Sequence, residues 1–370
     1  MLEVSRLHDA LGSVVERAPG LFRALGRLES SWMAEELTDI EIDRPIYVCG
    51  LARSGTTILL ESLAAHPQVA CHRYRDFPLV HIPVWWNWFL DRAAGGPAAA
   101  VERAHKDGIF VTPQSPEAME EVIWMSFFAT AHDPTVCNVI GGSHSAPEFE
   151  AFYRNHLRKL IRIRGASRYL AKGNYNVSRL GFLHRLFPDA CFVIAVRDPV
   201  QHVASLLKQH LLFCEAETQN PKVLAYMRRS GHFEFGLDRR PINFGDDAAV
   251  QRIQAAWEQG DHVTGYALAW AATYGFVATL LERDAALASR VLLVDYDDLC
   301  ADPAGTLRRL YSHCGLDGSD DRIGTQGSRI AYPNYYRPNF SDREGEVIRR
   351  STMDVVHRFD PLIRREVTDS

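Results

Sequence analysis

The stretch that decides the fold is Pro45-Ile46-Tyr47-Val48-Cys49-Gly50-Leu51-Ala52-Arg53-Ser54-Gly55-Thr56-Thr57-Ile58-Leu59. Residues 45–49 form a short, mostly apolar run rich in β-forming residues, which is typical of a buried strand. From Thr57 the apolar residues fall at helical spacing. Between them, Gly50 and Gly55 bracket a loop of mostly small residues. Such a loop before a helix directs several backbone N–H groups at one point, so it predicts an anion site, most naturally for a phosphate.

The spacing of the two glycines matches the frame of a P-loop. Gly50 is followed by four residues and Gly55, but Thr56 stands where a P-loop has its lysine. In nucleoside triphosphate enzymes that lysine reaches the outer phosphates, and the next hydroxyl holds Mg²⁺. Here the loop carries Arg53 instead, so it suits a 5′-phosphate better than a triphosphate with its metal. The alternative is a glycine turn without a ligand.

A second anion site is predicted after the apolar run 190–196. Arg197 follows this predicted strand, Asp198 suits the N-cap of the next helix, and Pro199 suits its first turn. Ser205 comes eight positions after Arg197, on the same helix. Because a planar guanidinium contacts two phosphate oxygens at once, Arg197 and Ser205 could bind one anion together. The alternative is an arginine that caps the helix or pairs with Asp198.

The two segments resemble the signatures of the sulfotransferases. Arg53-Ser54-Gly55-Thr56-Thr57 is similar to their 5′-phosphosulfate loop, and Arg197, Pro199 and Ser205 are similar to their 3′-phosphate signature. The resemblance continues in Lys172-Gly173-Asn174-Tyr175 before Phe187-Pro188-Asp189-Ala190, and in residues 294–299 with Asp302-Pro303. It spans about residues 45–316. It implies 3′-phosphoadenosine-5′-phosphosulfate (PAPS) as co-substrate, no metal, and a hydroxyl-bearing acceptor.

Strands that alternate with helices predict an α/β fold, a P-loop-like three-layer sandwich with a central parallel sheet. We expect a single domain over 1–370. It would comprise N-terminal helices over 1–40 and a core over 41–316. A cap-like, irregular insertion is predicted at about 214–250, then a mobile loop and a C-terminal helix over 317–370. A long helix over about 248–287 is predicted to break near Gly265. Parallel strands would bring every motif to one edge of the sheet.

Composition narrows the class of protein. The chain has 370 residues and a net charge of −5, which gives no indication of nucleic-acid binding. Its seven cysteines are odd in number and lack metal-site spacing, so we expect reduced thiols and a cytoplasmic protein. No run approaches the length of a membrane span. The sequence leaves a homodimer open.

Sulfuryl transfer requires positive charge at the leaving phosphate and a general base on the opposite side. The resemblance gives Arg53 the first role, with Lys172 as second candidate, while Thr56 and Thr57 would contact the 5′-phosphate. The cytosolic small-molecule enzymes use a histidine two residues after the corresponding lysine, where this chain has Asn174. The carbohydrate enzymes tend to use a carboxylate after the second strand, which favours Asp76. Further candidates for the base are Glu61, His72 and His81.

Two other functions remain open at the sequence level. A nucleotide kinase or NTPase would use Asp295, which ends an apolar strand as a Walker-B aspartate does. A non-catalytic relative would bind the product 3′-phosphoadenosine-5′-phosphate (PAP) without turnover. Aromatic residues at 77–89 and 332–336 suggest a carbohydrate, glycolipid or natural-product acceptor, although core packing explains the first group equally well.

Overall fold

A computed structural model describes residues 6–93, 99–102, 110–332 and 338–368. Its centre is a five-stranded, fully parallel sheet with the order β2-β5-β1-β6-β7. These strands are β1 Ile46–Cys49, β2 Val69–Ala70, β5 Arg168–Lys172, β6 Cys191–Val196 and β7 Val291–Asp295. The short strands β3 Val101–Glu102 and β4 Phe110–Val111 pair antiparallel apart from this sheet.

Helices surround the sheet. The N-terminal ones are α1 Arg6–Arg17, α2 Pro19–Trp32 and α3 Ala34–Thr38. Those up to the end of β6 are α4 Thr56–Ala64, α5 Pro83–Ala93, α6 Glu121–Phe127, α7 Pro147–Arg164 and α8 Leu180–Leu186. The remainder are α9 Pro199–Gln219, α10 Pro221–Ser230, α11 Asp247–Glu258, α12 His262–Arg283, α13 Ala285–Ala288, α14 Tyr296–Ala301, α15 Pro303–Cys314, α16 Asp320–Gly327 and α17 Asp342–Thr368.

The sheet is buried on both faces, which confirms the predicted three-layer sandwich. Along β1, Tyr47 and Cys49 pack into one apolar cluster, while Ile46 and Val48 pack into another. This alternation is the period of two expected for a strand. Burial of each large apolar side chain contributes about 1.5–3 kcal/mol, so the two clusters stabilise the sheet strongly.

Because the five strands are parallel, their carboxyl ends lie at one edge. β1 is flanked by β5 and β6, with Val48 opposite Lys172 and Cys49 opposite Ile194. The Gly50–Gly55 loop therefore leaves the sheet between the end of β5 and the end of β6. The predicted site residues at strand ends meet at this edge.

The region predicted as an irregular cap is largely helical. α9 continues to Gln219 and α10 follows, so only Asn220 and residues 231–246 lack helix. The predicted long helix breaks at Gly260, which has φ +78°, and not at Gly265. Asp261 caps the new helix, since its side chain accepts from the N–H of Thr264. Gly265 is needed for packing instead, because a Cβ there would lie 2.2 Å from the Trp257 ring.

Two terminal regions also differ from prediction in detail. The N-terminal region holds three helices where two were predicted. The predicted mobile loop at 317–343 contains α16, and its residues 333–337 lie outside the described residues. The C-terminal helix is confirmed as α17. In the described part of the chain, no helix is both long and apolar enough to cross a membrane.

Candidate active site

The Gly50–Gly55 loop is held in a shape that few residues can adopt. Gly50, Arg53 and Gly55 have φ of +133°, +74° and +106°. A Cβ at Gly50 would lie 2.7 Å from the carbonyl oxygen of Ala195, which excludes any side chain there. Ser54 closes the turn, since its N–H and its hydroxyl both donate to the carbonyl oxygen of Leu51. The loop leads into the N-terminus of α4, an arrangement that binds anions in proteins generally.

The second predicted site has the expected local structure. Arg197 follows β6 directly, and Asp198 caps α9 by accepting from the N–H of Gln201 at 2.9 Å. The side chain of Arg197 is buried and lies over the ring of Tyr296, 4.4 Å from its centroid. Ser205 is buried on α9. Asp198 is thus the predicted N-cap, and the guanidinium of Arg197 is fixed by an aromatic contact.

The two segments are in direct contact. Arg197 Nη1 donates to the carbonyl oxygen of Arg53 at 3.1 Å, and Arg53 Nε donates to Ser205 Oγ at 3.3 Å. His202 Nε2 lies 2.8 Å from the carbonyl oxygen of Ala52. Burial lowers the pKa of His202 to about 3, so this ring is neutral and contributes a hydrogen bond without charge. Arg53, Arg197 and Ser205 therefore form one connected group.

Lys172 and Asn174 lie on the other side of the loop, at the end of β5. Lys172 pairs with Val48 of β1, and the N–H of Gly173 donates to the carbonyl oxygen of Val48. Asn174 Nδ2 donates to Glu234 Oε1 at 2.6 Å. Asn174 stands where the cytosolic enzymes carry a histidine. Its side chain thus donates a hydrogen bond to a carboxylate from the segment 231–246.

Sequence reasoning missed Glu234 and its neighbour His232. Nδ1 of His232 is 3.4 Å from Oε2 of Glu234, an ion-pair distance longer than an ordinary hydrogen bond. No motif marks the two residues. The available signal was the alternation in His232-Phe233-Glu234-Phe235, where both phenylalanines are buried and the polar residues face the other way.

Asp76, the first predicted candidate for the general base, lies in a buried ion pair with Arg164. Its carboxylate is fully buried and accepts two hydrogen bonds of 2.7 Å from Arg164 Nη2. It also accepts from Asn87 Nδ2 and from the N–H of Arg73. Burial would raise the pKa of Asp76, but contacts with His72 and Arg164 hold it well below its usual range. A carboxylate so engaged is a poor proton acceptor, which weighs against Asp76 as the general base, and the assignment stays a prediction.

The remaining candidates for the base differ in their surroundings. His72 is buried, with Nε2 3.0 Å from His156 Nε2 and Nδ1 3.4 Å from Asp76 Oδ2. His81 is buried between Phe22 and Phe152, and burial lowers its pKa to about 3. Both histidines are therefore packed in the interior. Glu61 is partly exposed on α4.

The aromatic segment at 77–89 divides between core and surface. Phe77 and Trp86 are buried, and Trp86 Nε1 donates to the carbonyl oxygen of Arg75. Trp88 and Phe89 are more than half exposed on α5. Part of this segment is therefore core packing, and an acceptor role for the rest stays a prediction.

Asp295 does not have the surroundings of a metal-linked Walker-B carboxylate. Its Oδ1 accepts from the N–H groups of Asp297 and Asp298, so it caps α14. Among the described residues, no group of three or more His, Cys, Asp or Glu side chains could hold a metal ion.

Comparison with known proteins identifies the family of the chain. A family model with the description "Sulfotransferase family" matches residues 45–230 and 247–321 of the chain. No curated protein matched the chain. Solved structures similar to the chain include the following three. Sulfotransferase STF1 from Mycobacterium tuberculosis H37Rv has 19% identity, TM-score 0.47, and coverage of 93% of this chain and 86% of that one. STF9 from Mycobacterium avium has 14% identity, TM-score 0.48, and coverage of 90% and 81%. A sulfotransferase from Alicyclobacillus acidocaldarius has 14% identity, TM-score 0.43, and coverage of 87% and 97%. The family match covers well over half of the residues, and the chain belongs to the sulfotransferase family.

Proposed function

We propose that this sulfotransferase transfers a sulfuryl group from PAPS to an acceptor hydroxyl. The observation that carries the proposal is the contact between the two anion segments, through Arg197 to the Arg53 carbonyl and through Arg53 to Ser205. PAPS carries a 5′-phosphosulfate and a 3′-phosphate on one ribose, so it needs two anion sites side by side. A nucleotide with phosphates only at its 5′ end would not require a second anion site at Arg197 and Ser205.

The loop residues would share the nucleotide as follows. The N–H groups of the Gly50–Gly55 loop and the start of α4, with Thr56 and Thr57, would hold the 5′-phosphate. Arg197 and Ser205 would hold the 3′-phosphate. Asp198 Oδ1 accepts from the N–H of Gln201 and so caps the helix that follows Arg197.

Transfer is an in-line displacement at sulfur, and negative charge develops on the bridging oxygen of the departing nucleotide. Arg53 and Lys172 lie on neighbouring parts of the edge and would stabilise that charge. By analogy with phosphoryl transfer, positioning and electrostatics supply most of the rate. No step requires a metal.

We also propose a partly apolar acceptor, such as a glycolipid, a carbohydrate with an apolar group or a natural product. A cavity lies beside the Gly50–Gly55 loop, with Asn174 and Glu234 in its wall. Its other walls are mostly apolar and include Leu51, Ala52, Leu206, Ile253, Trp257 and Tyr266. Apolar walls with a few polar groups are typical of small-molecule sites, and the volume of about 40 Å³ suffices here only for the reacting end of such an acceptor. The unpaired cysteines favour a reducing compartment, and we propose the cytoplasm.

A transfer assay tests the function. The protein is incubated with ³⁵S-labelled PAPS and fractionated cell extract, and the labelled product is identified by mass spectrometry. We expect label transfer that survives EDTA. Arg349→Ala, an exposed change on α17, serves as the control variant and should label the same product. Dependence on ATP and Mg²⁺ would favour a kinase, while PAP binding without transfer would favour a non-catalytic relative.

A further inference from the structure

Four polar side chains meet at the end of β5, on the side of the Gly50–Gly55 loop away from Arg197. Lys172 and Asn174 come from the end of β5, and His232 and Glu234 come from the segment 231–246. Glu234 Oε1 accepts from Asn174 Nδ2 at 2.6 Å, and Glu234 Oε2 lies 3.4 Å from His232 Nδ1. Within the described residues, Oε2 of Glu234 has no hydrogen-bond partner. A carboxylate is thus directed at one ring nitrogen of a histidine.

The segment that carries this pair is held firmly. The N–H of Phe233 donates to Tyr175 Oη at 3.0 Å, and Tyr266 Oη donates to the carbonyl oxygen of Glu234 at 3.2 Å. The side chains of Phe233 and Phe235 are buried. A pair fixed on both sides by packing and hydrogen bonds keeps its geometry without reorganisation during a reaction.

Of the pair, the imidazole is the more exposed group. The side chain of His232 is 21% exposed, against 7% for Glu234. Nδ1 of His232 faces Glu234. Glu234 lines the cavity beside the Gly50–Gly55 loop and His232 stands directly behind it, so an acceptor in that cavity would reach Nε2 of His232 past the Glu234 side chain. We propose that His232 is the general base of the sulfuryl transfer and that Glu234 is a positioning residue. This assignment rests on the proposed function.

The step balances as follows. The acceptor hydroxyl gives its proton to Nε2 of His232 while its oxygen forms a bond to the sulfur of PAPS. The bond between sulfur and the bridging oxygen of the 5′-phosphate breaks, and its electron pair leaves with PAP. Glu234 stabilises the imidazolium that forms, as the carboxylate of a Ser-His-Asp triad does.

The position of the pair suits an in-line reaction. The anion segments follow β1 and β6, whereas the pair lies at the end of β5, on the other side of β1. Lys172 ends β5, next to β1. The acceptor would therefore enter from the side opposite the departing nucleotide.

The charges around His232 determine its titration. Burial lowers the pKa of His232, but Glu234 raises it and Glu117 adds to the rise, while Lys172 opposes it; the net pKa is raised. Burial would raise the pKa of Glu234, yet His232 and Asn174 lower it, so this carboxylate stays ionised. Because the base must be unprotonated, activity should increase as the pH rises through the raised pKa of His232.

The test compares His232→Gln and Glu234→Gln with the wild type, and uses His357→Gln on the exposed face of α17 as the control. PAP binding is measured by calorimetry. The rate of conversion of PAPS to PAP is measured with the cell fraction that the ³⁵S assay identifies as containing the acceptor, or with water as the acceptor. We expect His232→Gln to lower the rate about 10²- to 10⁴-fold at unchanged PAP affinity, since general base catalysis contributes that much. The control should keep the wild-type rate.

Glu234→Gln supplies a second readout, the pH dependence of the reaction, which would not change if Glu234 were merely structural. Its pH–rate profile should shift to lower pH, and the histidine NMR signal lost in His232→Gln should titrate at lower pH than in the wild type. A wild-type rate in His232→Gln, or a titration unaffected by Glu234→Gln, overturns the assignment. If Glu117→Gln loses all activity while His232→Gln stays active, then Glu117 is the general base in place of His232. If the wild type binds no PAP, the proposed function itself fails.

Discussion

Arg197 Nη1 lies 3.1 Å from the carbonyl oxygen of Arg53, although the two residues are 144 positions apart in the chain. Arg53 Nε in turn lies 3.3 Å from Ser205 Oγ. The hydrogen bond from Arg197 to Arg53 joins the residue after β6 to the loop after β1. These two strands are neighbours in the sheet. This proximity is the basis for our proposal that one nucleotide binds to both segments.

Arg197→Ala should weaken PAP binding about 10- to 100-fold, because a hydrogen bond to a charged group contributes about 1.5–3 kcal/mol. Isothermal titration calorimetry measures the affinity, with Arg349→Ala as control and a thermal melt to verify folding. Wild-type affinity in a folded Arg197→Ala protein would reject the 3′-phosphate site.

Arg53→Ala should lower kcat about 10²- to 10³-fold, the usual loss when a group that stabilises transition-state charge is removed. The reason is the charge that develops on the leaving oxygen. Single-turnover rates at saturating PAPS separate this effect from weaker binding. If kcat is retained and only KM rises, Arg53 binds the donor without acting on the transition state.

Gly55→Ala should impair nucleotide binding. Gly55 has φ +106°, and a Cβ there would lie 2.7 Å from the ring of Tyr296. The guanidinium of Arg197 lies over the same ring. Gly260→Ala is a matched control, since Gly260 also has positive φ but open space around it. Both variants should lose stability by about 1–3 kcal/mol from the strained backbone. Only Gly55→Ala should lose PAP affinity, and equal affinity in both would show that the loop adapts.

Asp76→Asn should destabilise the fold by about 3 to 5 kcal/mol, the usual cost of breaking a buried ion pair. It leaves the guanidinium of Arg164 without its charged partner. Since the pKa of Asp76 is lowered in the folded state, this contribution is present above its unfolded pKa and is lost as the pH falls towards the folded value. Urea unfolding measures the loss. If Asp76→Asn keeps wild-type stability but has no turnover, the result supports Asp76 as the general base.

The sequence predicted the parts of the fold that depend on local pattern. β1 and β6 are continuous apolar runs, and the spacing of Gly50, Gly55, Arg197 and Ser205 was sufficient to predict one shared edge. Each of these features lies within a few residues of a strand end, where parallel topology determines the position.

The sequence was least informative where distant contacts decide. Arg164 lies 88 positions from Asp76, so the sequence could not show that this carboxylate is already paired. Glu234 lies 60 positions from Asn174 and in a segment without a motif. Gly265 is a plausible break by composition, but its role is to allow the close approach of Trp257.

The most direct test of the central claim compares the affinities of PAP and 5′-AMP, which lacks only the 3′-phosphate, for the wild type and for Arg197→Ala. The account predicts that the wild type binds PAP at least about 10-fold more tightly, as expected for a charge-assisted contact, and that Arg197→Ala removes most of this difference. Equal affinity of the wild type for the two nucleotides would contradict the claim that both anion segments hold one donor.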